Sequence, residues 1–326
     1  MQTRRMMVKS IWAAALTAVL ASGAAAQSFP DGPVTMIVPY APGGPTDLMA
    51  RFVAQRLSEN WGHPVLVENR PGASGTLGSD HVARSDPDGY TLVVANNAAQ
   101  GAYELLNPST TPYQTLEAFA PVAMVSLAPL VMIVPSSASA TTLAEFVEWA
   151  AARPGEVNYA SAAVGSATHL ASIMLSEMAG LDMEMIVFQG AAPALQAVVA
   201  GETDMYAGGF STVAGQVEAN TVRALGVMAP QRLGAAPDLP TFAEQGYDID
   251  YGSWFGLMAP AATPGDILDQ INADVATVLS DDTAREALAN YGMELMLTDR
   301  ATFGEMIQAR IDLDRRLIAE AGMETN

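Results

Sequence analysis

Two stretches of this chain set polar groups on the same kind of local scaffold. In the first, the apolar run Val34–Val38 leads through a Pro/Gly turn, residues 39–45, to Thr46 and Asp47, which open an amphipathic segment at 48–61. In the second, Tyr159-Ala160-Ser161 leads through a small-residue loop, 162–166, to Ala167-Thr168-His169-Leu170. Each reads as strand, loop and helix start. Such a junction aims unpaired backbone N–H groups beyond the strand end, where they and the positive end of the helix dipole favour an anion. The competing reading of the first stretch is a tight connection into a capped helix. Asp47 then serves its own turn as an acceptor for free amides, since a carboxylate in direct contact would repel a bound anion. In the second stretch Ser166 is the expected N-cap, Ser161, Ser166 and Thr168 supply hydroxyls, and His169 either supports the loop or reaches the cleft.

The elements that must position these groups alternate strand and helix along the chain. A β-favouring run at 90–95 ends at Asn96-Asn97, polar residues one strand away from the opening loop and placed to line the same cleft. Between them lies Glu68-Asn69-Arg70-Pro71-Gly72-Ala73-Ser74-Gly75-Thr76-Leu77-Gly78. Its glycines fall at intervals of three, so it is not a dinucleotide fingerprint. It bends the chain into a helix at 76–83, with Arg70 as an ion pair or carbonyl clamp. Pro129 divides two strand-like runs, 121–127 and 130–135, and the alternation restarts after it. A domain boundary is expected near 126–130 and a second crossing near 251–259. Two longer helices, at 264–280 and 302–321, close the chain.

Composition narrows the function. The chain has 326 residues, 50% hydrophobic and 15% charged, enough for two cores. Residues 1–26 read as an export signal: Arg4, Arg5 and Lys9, then an apolar stretch, then Ala24-Ala25-Ala26. Residues 3–9 also resemble a twin-arginine signal. Without those three basic residues, 12 remain against 35 acidic ones, a formal charge of −23 in place of −20, and no Lys is left. Nucleic-acid binding is implausible without a basic surface. Schiff-base and P-loop lysine chemistry are excluded. Cys is absent, which excludes disulfides, thiolate catalysis and cysteine-ligated metals. His63, His81 and His169 stand far apart, and no serine sits in a G-x-S-x-G elbow. Neither a metal nor a cofactor is expected, and no catalytic residue is assigned. The rival readings are a periplasmic hydrolase or isomerase built on His169 and Ser166, and a solute-binding accessory of a sensor.

Several runs taken together resemble the periplasmic substrate-binding proteins of tripartite tricarboxylate transporters. They are Val38-Pro39-Tyr40-Ala41-Pro42-Gly43-Gly44-Pro45-Thr46-Asp47, Val67-Glu68-Asn69-Arg70-Pro71-Gly72-Ala73-Ser74-Gly75 and Pro87-Asp88-Gly89-Tyr90-Thr91-Leu92. Further on come Gly165-Ser166-Ala167-Thr168-His169-Leu170, Phe188-Gln189-Gly190-Ala191-Ala192-Pro193-Ala194-Leu195, and Pro240-Thr241 with Glu244. The resemblance spans the mature chain. It implies an α/β, two-lobed periplasmic binding protein (type II, Venus-flytrap), each lobe a mixed sheet flanked by helices. The expected parts are 27–128 and 253–326 for the first lobe and 129–252 for the second. It also implies capture of a small organic carboxylate by a monomer in the periplasm and delivery to integral membrane transporter subunits. Ligand contacts carried over are Tyr40, Ala41, Gly44, Thr46 and Asn96 or Asn97 from the first lobe. Those from the second are Ser161, Ser166, Thr168 and His169, with Asp204 and Gly208 shaping the far wall. Asp47 becomes a loop organiser. Gln189 stands where many members carry Lys, which removes a cationic partner for a distal carboxylate.

Overall fold

The computed structural model describes residues 29–188, 190–320 and 322–323. The leader at 1–26 and Gln189 lie outside the described residues. The first part runs β1 (Val34–Val38), α1 (Pro45–Trp61), β2 (Val65–Asn69), α2 (Thr76–Ala83), β3 (Thr91–Asn96), a wide turn (Ala98–Ala102), α3 (Tyr103–Leu106), α4 (Thr115–Ala118) and the long strand β4 (Phe119–Pro135). Next come α5 (Leu143–Ala151), β5 (Val157–Ser161), α6 (Ala167–Ala179), β6 (Met183–Val187), α7 (Ala191–Ala200), β7 (Met205–Gly209), α8 (Phe210–Glu218) and β8 (Val222–Met228). The chain closes with β9 (Gly252–Pro260), α9 (Gly265–Val278), α10 (Asp282–Asn290), β10 (Glu294–Leu295) and α11 (Arg300–Glu320).

The strands join in the order β2-β1-β3-β9-β4-β7-β5-β6, with β8 and β10 also paired to β4. β1 is parallel to β2 and β3, and β5 to β6 and β7; β9 and β4 bring in antiparallel pairings. Side chains alternate across the sheet and both faces are covered, so the runs read as continuously apolar. In β1 and β3, Val34, Met36, Val38, Leu92 and Val94 meet Met49, Val53 and Leu57 of α1 and Leu268, Ile271 and Val275 of α9. Ile37, Val93 and Ala95 point the other way, onto Phe303, Ile307 and Ile311 of α11. Each such fully buried aliphatic side chain stabilises the fold by roughly 1.5–3 kcal/mol. The same alternation in β4 sends Met132 and Val134 to one core and Val131 and Ile133 to another.

β4 is continuous over 17 residues, where the sequence suggested two runs split at Pro129. Proline lacks an N–H and normally interrupts a ladder. Here it lies where β4 changes neighbours: residues up to Pro129 pair with β9, and from Leu130 onward with β7 and β8. Opposite Pro129 stands Gly252, where a Cβ would lie 2.7 Å from Ala128 O and 3.0 Å from Pro129 Cα.

Register fixes where the strand ends fall. Asn96 at the end of β3 is level with Phe255, and Phe255 with Ser126 of β4. Gly209, ending β7 from the opposite direction, is level with Leu130. Four residues of strand span ~13 Å. Loops leaving β1 and β3 therefore point along β4 toward those leaving β5 and β7.

Candidate functional site

The first junction leaves its helix open. Gly44 is the N-cap of α1 with Pro45 behind it, and no side chain caps the turn. The helical ladder begins with Leu48 N–H donating to Gly44 O at 3.0 Å, and the Thr46 and Asp47 N–H groups have no protein acceptor among the described residues. Asp47 lies in that first turn, 2% exposed, yet its carboxylate turns back into the loop. Oδ2 accepts from Gly43 N–H at 2.9 Å and Arg51 Nε at 3.0 Å; Oδ1 accepts from Asn69 Nδ2 at 2.8 Å and meets Arg51 Nη2 at 3.0 Å. Burial pushes its pKa up, but hydrogen bonds from Arg51, Gly43 and Asn69 and the Arg51 charge outweigh burial and hold it below the ordinary value. Its charge is thus matched locally, and the helix amides stay available.

Asn69 Nδ2 also donates to Tyr40 O at 3.1 Å. The Tyr40 hydroxyl donates to Asn96 Oδ1 at 2.9 Å and lies 3.3 Å from Ser74 O. Burial pushes the Tyr40 phenol up to about 12, against its hydrogen bonds with Asn96 and Ala99, so it stays a neutral donor. The loop after β2 comes so close that a Cβ on Gly75, at φ +100°, would sit 2.9 Å from Tyr40 Oη. Asn96 Oδ1 further accepts from Ala98 N–H at 2.9 Å and Ala99 N–H at 3.3 Å. Its carbonyl end is therefore occupied, and Nδ2 has no protein partner among the described residues. Neither has the Asn97 side chain, which is 4% exposed. Gln100 braces this end: Oε1 accepts Asn96 N–H at 3.0 Å and Nε2 donates to Ser79 Oγ at 2.7 Å.

The second junction satisfies its own hydroxyls. Ser161 Oγ and Ser166 Oγ each donate to Ala163 O at 2.8 Å. Thr168 Oγ1 accepts from Ala162 N–H at 3.0 Å and lies 2.8 Å from Ser166 Oγ and 3.3 Å from Ser161 Oγ. With both serine protons on Ala163 O, the threonine proton closes the network. Ser166 caps α6, accepting from His169 N–H at 3.4 Å. What is left outward is backbone: the N–H groups of Ala163, Val164, Ala167 and Thr168 have no protein acceptor among the described residues. His169 Nδ1 accepts from Gly165 N–H at 3.0 Å, and burial lowers its pKa to about 4. The ring is therefore neutral at pH 7, protonated on Nε2, and braces the loop. It lies over Tyr159 with ring centroids 6.2 Å apart. Gly165, at φ +72°, abuts α3: a Cβ there would overlap Leu106 Cδ1 at 2.0 Å. This contact joins the second junction to the segment that follows Asn96 and Asn97.

One candidate residue ends up elsewhere. Asp204 precedes β7 and so lies at the far end of that strand from Gly209. Its Oδ2 accepts Asn158 N–H at 2.9 Å, and its N–H donates to Asn158 O at 3.2 Å, which ties the starts of β5 and β7 together. The structure does not bring it to the two loops. Arg70 takes the ion-pair alternative expected of it, with Glu68 at 2.7 Å and largely in solvent, while Arg51 holds Asp47. Conversely, two helix starts went unread. α7 and α8 follow the ends of β6 and β7 with Gly190 and Gly209 as N-caps and no side-chain cap, whereas α5 and α10 carry Thr142 and Asp281. A glycine N-cap directly after a parallel strand was the available signal. Gly190 N–H reaches Ala162 O at 3.0 Å, so the start of α7 adjoins the second junction.

The arrangement offers amides, hydroxyls and neutral carboxamides, and no cation in either loop. Among the described residues no group of His, Asp and Glu could hold a metal ion, and no helix is long and apolar enough to cross a membrane. Residues 49–323 match the model of the tripartite tricarboxylate transporter family receptor. The chain is 35% identical over 291 residues to the protein BugT of Bordetella pertussis, a match covering 89% of each. Among solved structures it is similar to R. palustris Rpa4515 with adipate, at 30% identity and TM-score 0.77, covering 91% of this chain and 99% of that one. It is also similar to MatC of Rhodopseudomonas palustris with bound malate, at 30% identity and TM-score 0.71, covering 89% and 100%. The chain belongs to the tripartite tricarboxylate transporter receptor family, and it is a periplasmic solute-binding protein of the two-lobed type rather than an enzyme.

Proposed function

We propose that this receptor captures a small organic carboxylate between its two strand–loop–helix junctions and delivers it to the membrane subunits of its transporter. The observation that carries this reading is the open start of α1, whose Thr46 and Asp47 amides stay free because Asp47 is clamped by Gly43, Asn69 and Arg51. One carboxylate sits there, with Ala41, Gly44, the Thr46 hydroxyl, Asn96 Nδ2 and Asn97 around it. The helix end contributes about 0.3–2 kcal/mol, and charge-assisted hydrogen bonds in a drier, closed cleft contribute more. The far side of the ligand meets the amides of the Ser161–Ser166–Thr168 loop and the start of α7; Gln189, which precedes Gly190 in sequence, is the further contact expected there.

Neutral His169 and the absence of Lys and Arg from both loops favour a mono- or dicarboxylate over a tricarboxylate. The similar proteins solved with adipate and malate fit that class. The lobes comprise 27–128 with 253–326, and 129–252. They hinge where β4 changes neighbours and where the chain returns at 251–253. Export uses the twin-arginine route, on the strength of Arg4 and Arg5; Arg4→Lys with Arg5→Lys then holds the precursor in the cytoplasm.

Calorimetry with malate, adipate, citrate, benzoate, neutral sugars and alkylamines tests the reading. Binding of the acids, weakened by substitutions at Thr46 and Asn97, is expected. Tight binding of sugars or amines alone would overturn it.

A further inference from the structure

At the return crossing, two charged side chains of one helix hold a single tyrosine between them. Tyr251 is fully buried, directly before β9. Its backbone stands where β4 changes neighbours: Leu130 N–H donates to Tyr251 O at 3.4 Å, and Tyr251 N–H donates to Met228 O at 3.2 Å. Arg310 and Asp314 lie one turn apart on α11, a spacing at which opposite charges ordinarily pair. Here they do not. The Arg310 guanidinium stacks 3.8 Å from the Tyr251 ring centroid and donates from Nη2 to Gly252 O at 2.6 Å. Asp314 Oδ1 accepts from the Tyr251 hydroxyl at 2.7 Å. Each charged group keeps one buried atom without a protein partner among the described residues, Arg310 Nη1 and Asp314 Oδ2. Oδ2 faces Gly101, 3.5 Å from where a Cβ would stand, in the turn that follows Asn96 and Asn97.

We propose that Tyr251, Arg310 and Asp314 form a two-state latch on the hinge. With Tyr251 inserted, the lobes keep the arrangement described here; with Tyr251 withdrawn, Arg310 and Asp314 close into a direct ion pair that holds a second arrangement. This rests on reading 128–130 and 251–253 as the crossings between lobes. Buried charges demand partners. Inserted and withdrawn positions each supply some, and positions between supply fewer, which makes the element bistable.

Protonation biases the latch. Burial pushes the Asp314 carboxyl up to about 6, against the opposing effects of Arg310 and the Tyr251 hydroxyl. A direct ion pair lowers it. The state with the lower pKa gains as pH rises, so withdrawal is favoured above that value. The ionisable groups facing the cluster are Arg310 on the same helix, Tyr251 on the crossing, and Asp250, whose own carboxyl is raised by burial and eased by Arg310. The 98–102 turn has none.

The chain has no cysteine, so a Leu66→Cys and Ile186→Cys pair on the outer strands β2 and β6 accepts two nitroxide labels cleanly. Pulsed dipolar spectroscopy at pH 5 and pH 7.5 is expected to show two distance populations. Between those two pH values the ratio shifts toward withdrawal by up to about tenfold, because about one unit separates pH 5 from the Asp314 value near 6. Asp314→Asn should show no pH response and hold the ratio of the fully protonated parent, and Tyr251→Phe, which keeps the ring on Arg310, should favour the withdrawn population at pH 5. A pH-independent ratio in the parent, or an undiminished response in Asp314→Asn, overturns the latch. Malate or adipate, whichever calorimetry shows to bind, supplies the control: a distance moved by the acid but not by pH removes the latch and keeps the two-lobe hinge, and a distance moved by neither removes both.

Discussion

The Asp47 clamp is the most exposed point of the binding argument, and Asp47→Ala tests it. The substitution deletes acceptors for Gly43 N–H, Asn69 Nδ2 and both Arg51 groups. The parts are not equal. The Arg51 side chain is 51% exposed and can turn to water, so its share is about 0–1 kcal/mol. Asn69 keeps its bond to Tyr40 O, and Gly43 is exposed. Hydrogen bonds to a charged acceptor contribute about 1.5–3 kcal/mol each when buried. Discounted for that exposure, Asp47→Ala should lower unfolding free energy by about 2–4 kcal/mol, and Arg51→Ala by about 1 kcal/mol or less. Chemical denaturation at pH 7 gives both values, and calorimetry with the bound acid gives affinity. A loosened loop should weaken binding about tenfold, or 1.4 kcal/mol. The pH sign also follows. The folded Asp47 pKa lies below its ordinary 3.8, so the contribution is complete above that value and is lost as pH falls through the lower folded one. Equal destabilisation by Asp47→Ala and Arg51→Ala, or unchanged binding in Asp47→Ala, would show that the Asp47 carboxylate does not hold the loop in its binding form.

Three further outcomes are expected. His169 is held neutral with a pKa near 4 against an ordinary 6.5, so the folded chain binds fewer protons than the unfolded one between those values. Stability should therefore fall by up to about 3 kcal/mol as pH drops through that window; NMR titration of the imidazole with a midpoint near 6.5 would contradict it. Thr168→Val removes the acceptor of Ala162 N–H and should lower stability by about 1–3 kcal/mol in urea unfolding, with weaker acid binding. Gly165→Ala places a side chain at φ +72° and against Leu106, so it should lower stability by more than the roughly 1–2 kcal/mol of left-handed backbone. Adding Leu106→Ala should then show a favourable coupling in a double-mutant cycle by relieving only the overlap.

The two junctions were legible because strand, small-residue turn and helix start follow each other in short order, and each step has a local signature. The long helices and both edge strands follow from periodicity for the same reason. For Asp204 the sequence held the clue: it stands before its strand, and the candidate loops all follow theirs. The continuity of β4 through Pro129 was not readable, because what permits it is Gly252, more than a hundred positions away. The two-residue strand β10 exists only through its pairing with Ser126 and Leu127 and has no periodicity of its own. Nor could spacing reveal that the hydroxyls of Ser161, Ser166 and Thr168 bond to one another. That closure follows from the tightness of the turn, and it leaves backbone amides, not hydroxyls, as the groups without a partner among the described residues.

The insertion of β9 between β3 and β4 governs the order in which this chain can fold. β3 and β4 are separated in the sheet by a strand that begins only at Gly252, and the helices covering their faces, α9 and α11, come later still. Until residue 260 has been synthesised β3 and β4 lack the strand between them, and until roughly residue 311 this part of the sheet lacks one of its two coverings. Residues 129–252 have their remaining strands in hand much earlier. Folding is thus out of step with synthesis: the strands that synthesis completes first, β1 to β3, wait for the end of the chain, whereas β5 to β8 have their partners sooner. Such long-range closure is slow and leaves strand edges open meanwhile. Export of an unfolded precursor is granted a long interval before the structure locks, and export of a folded one must wait for the last helix.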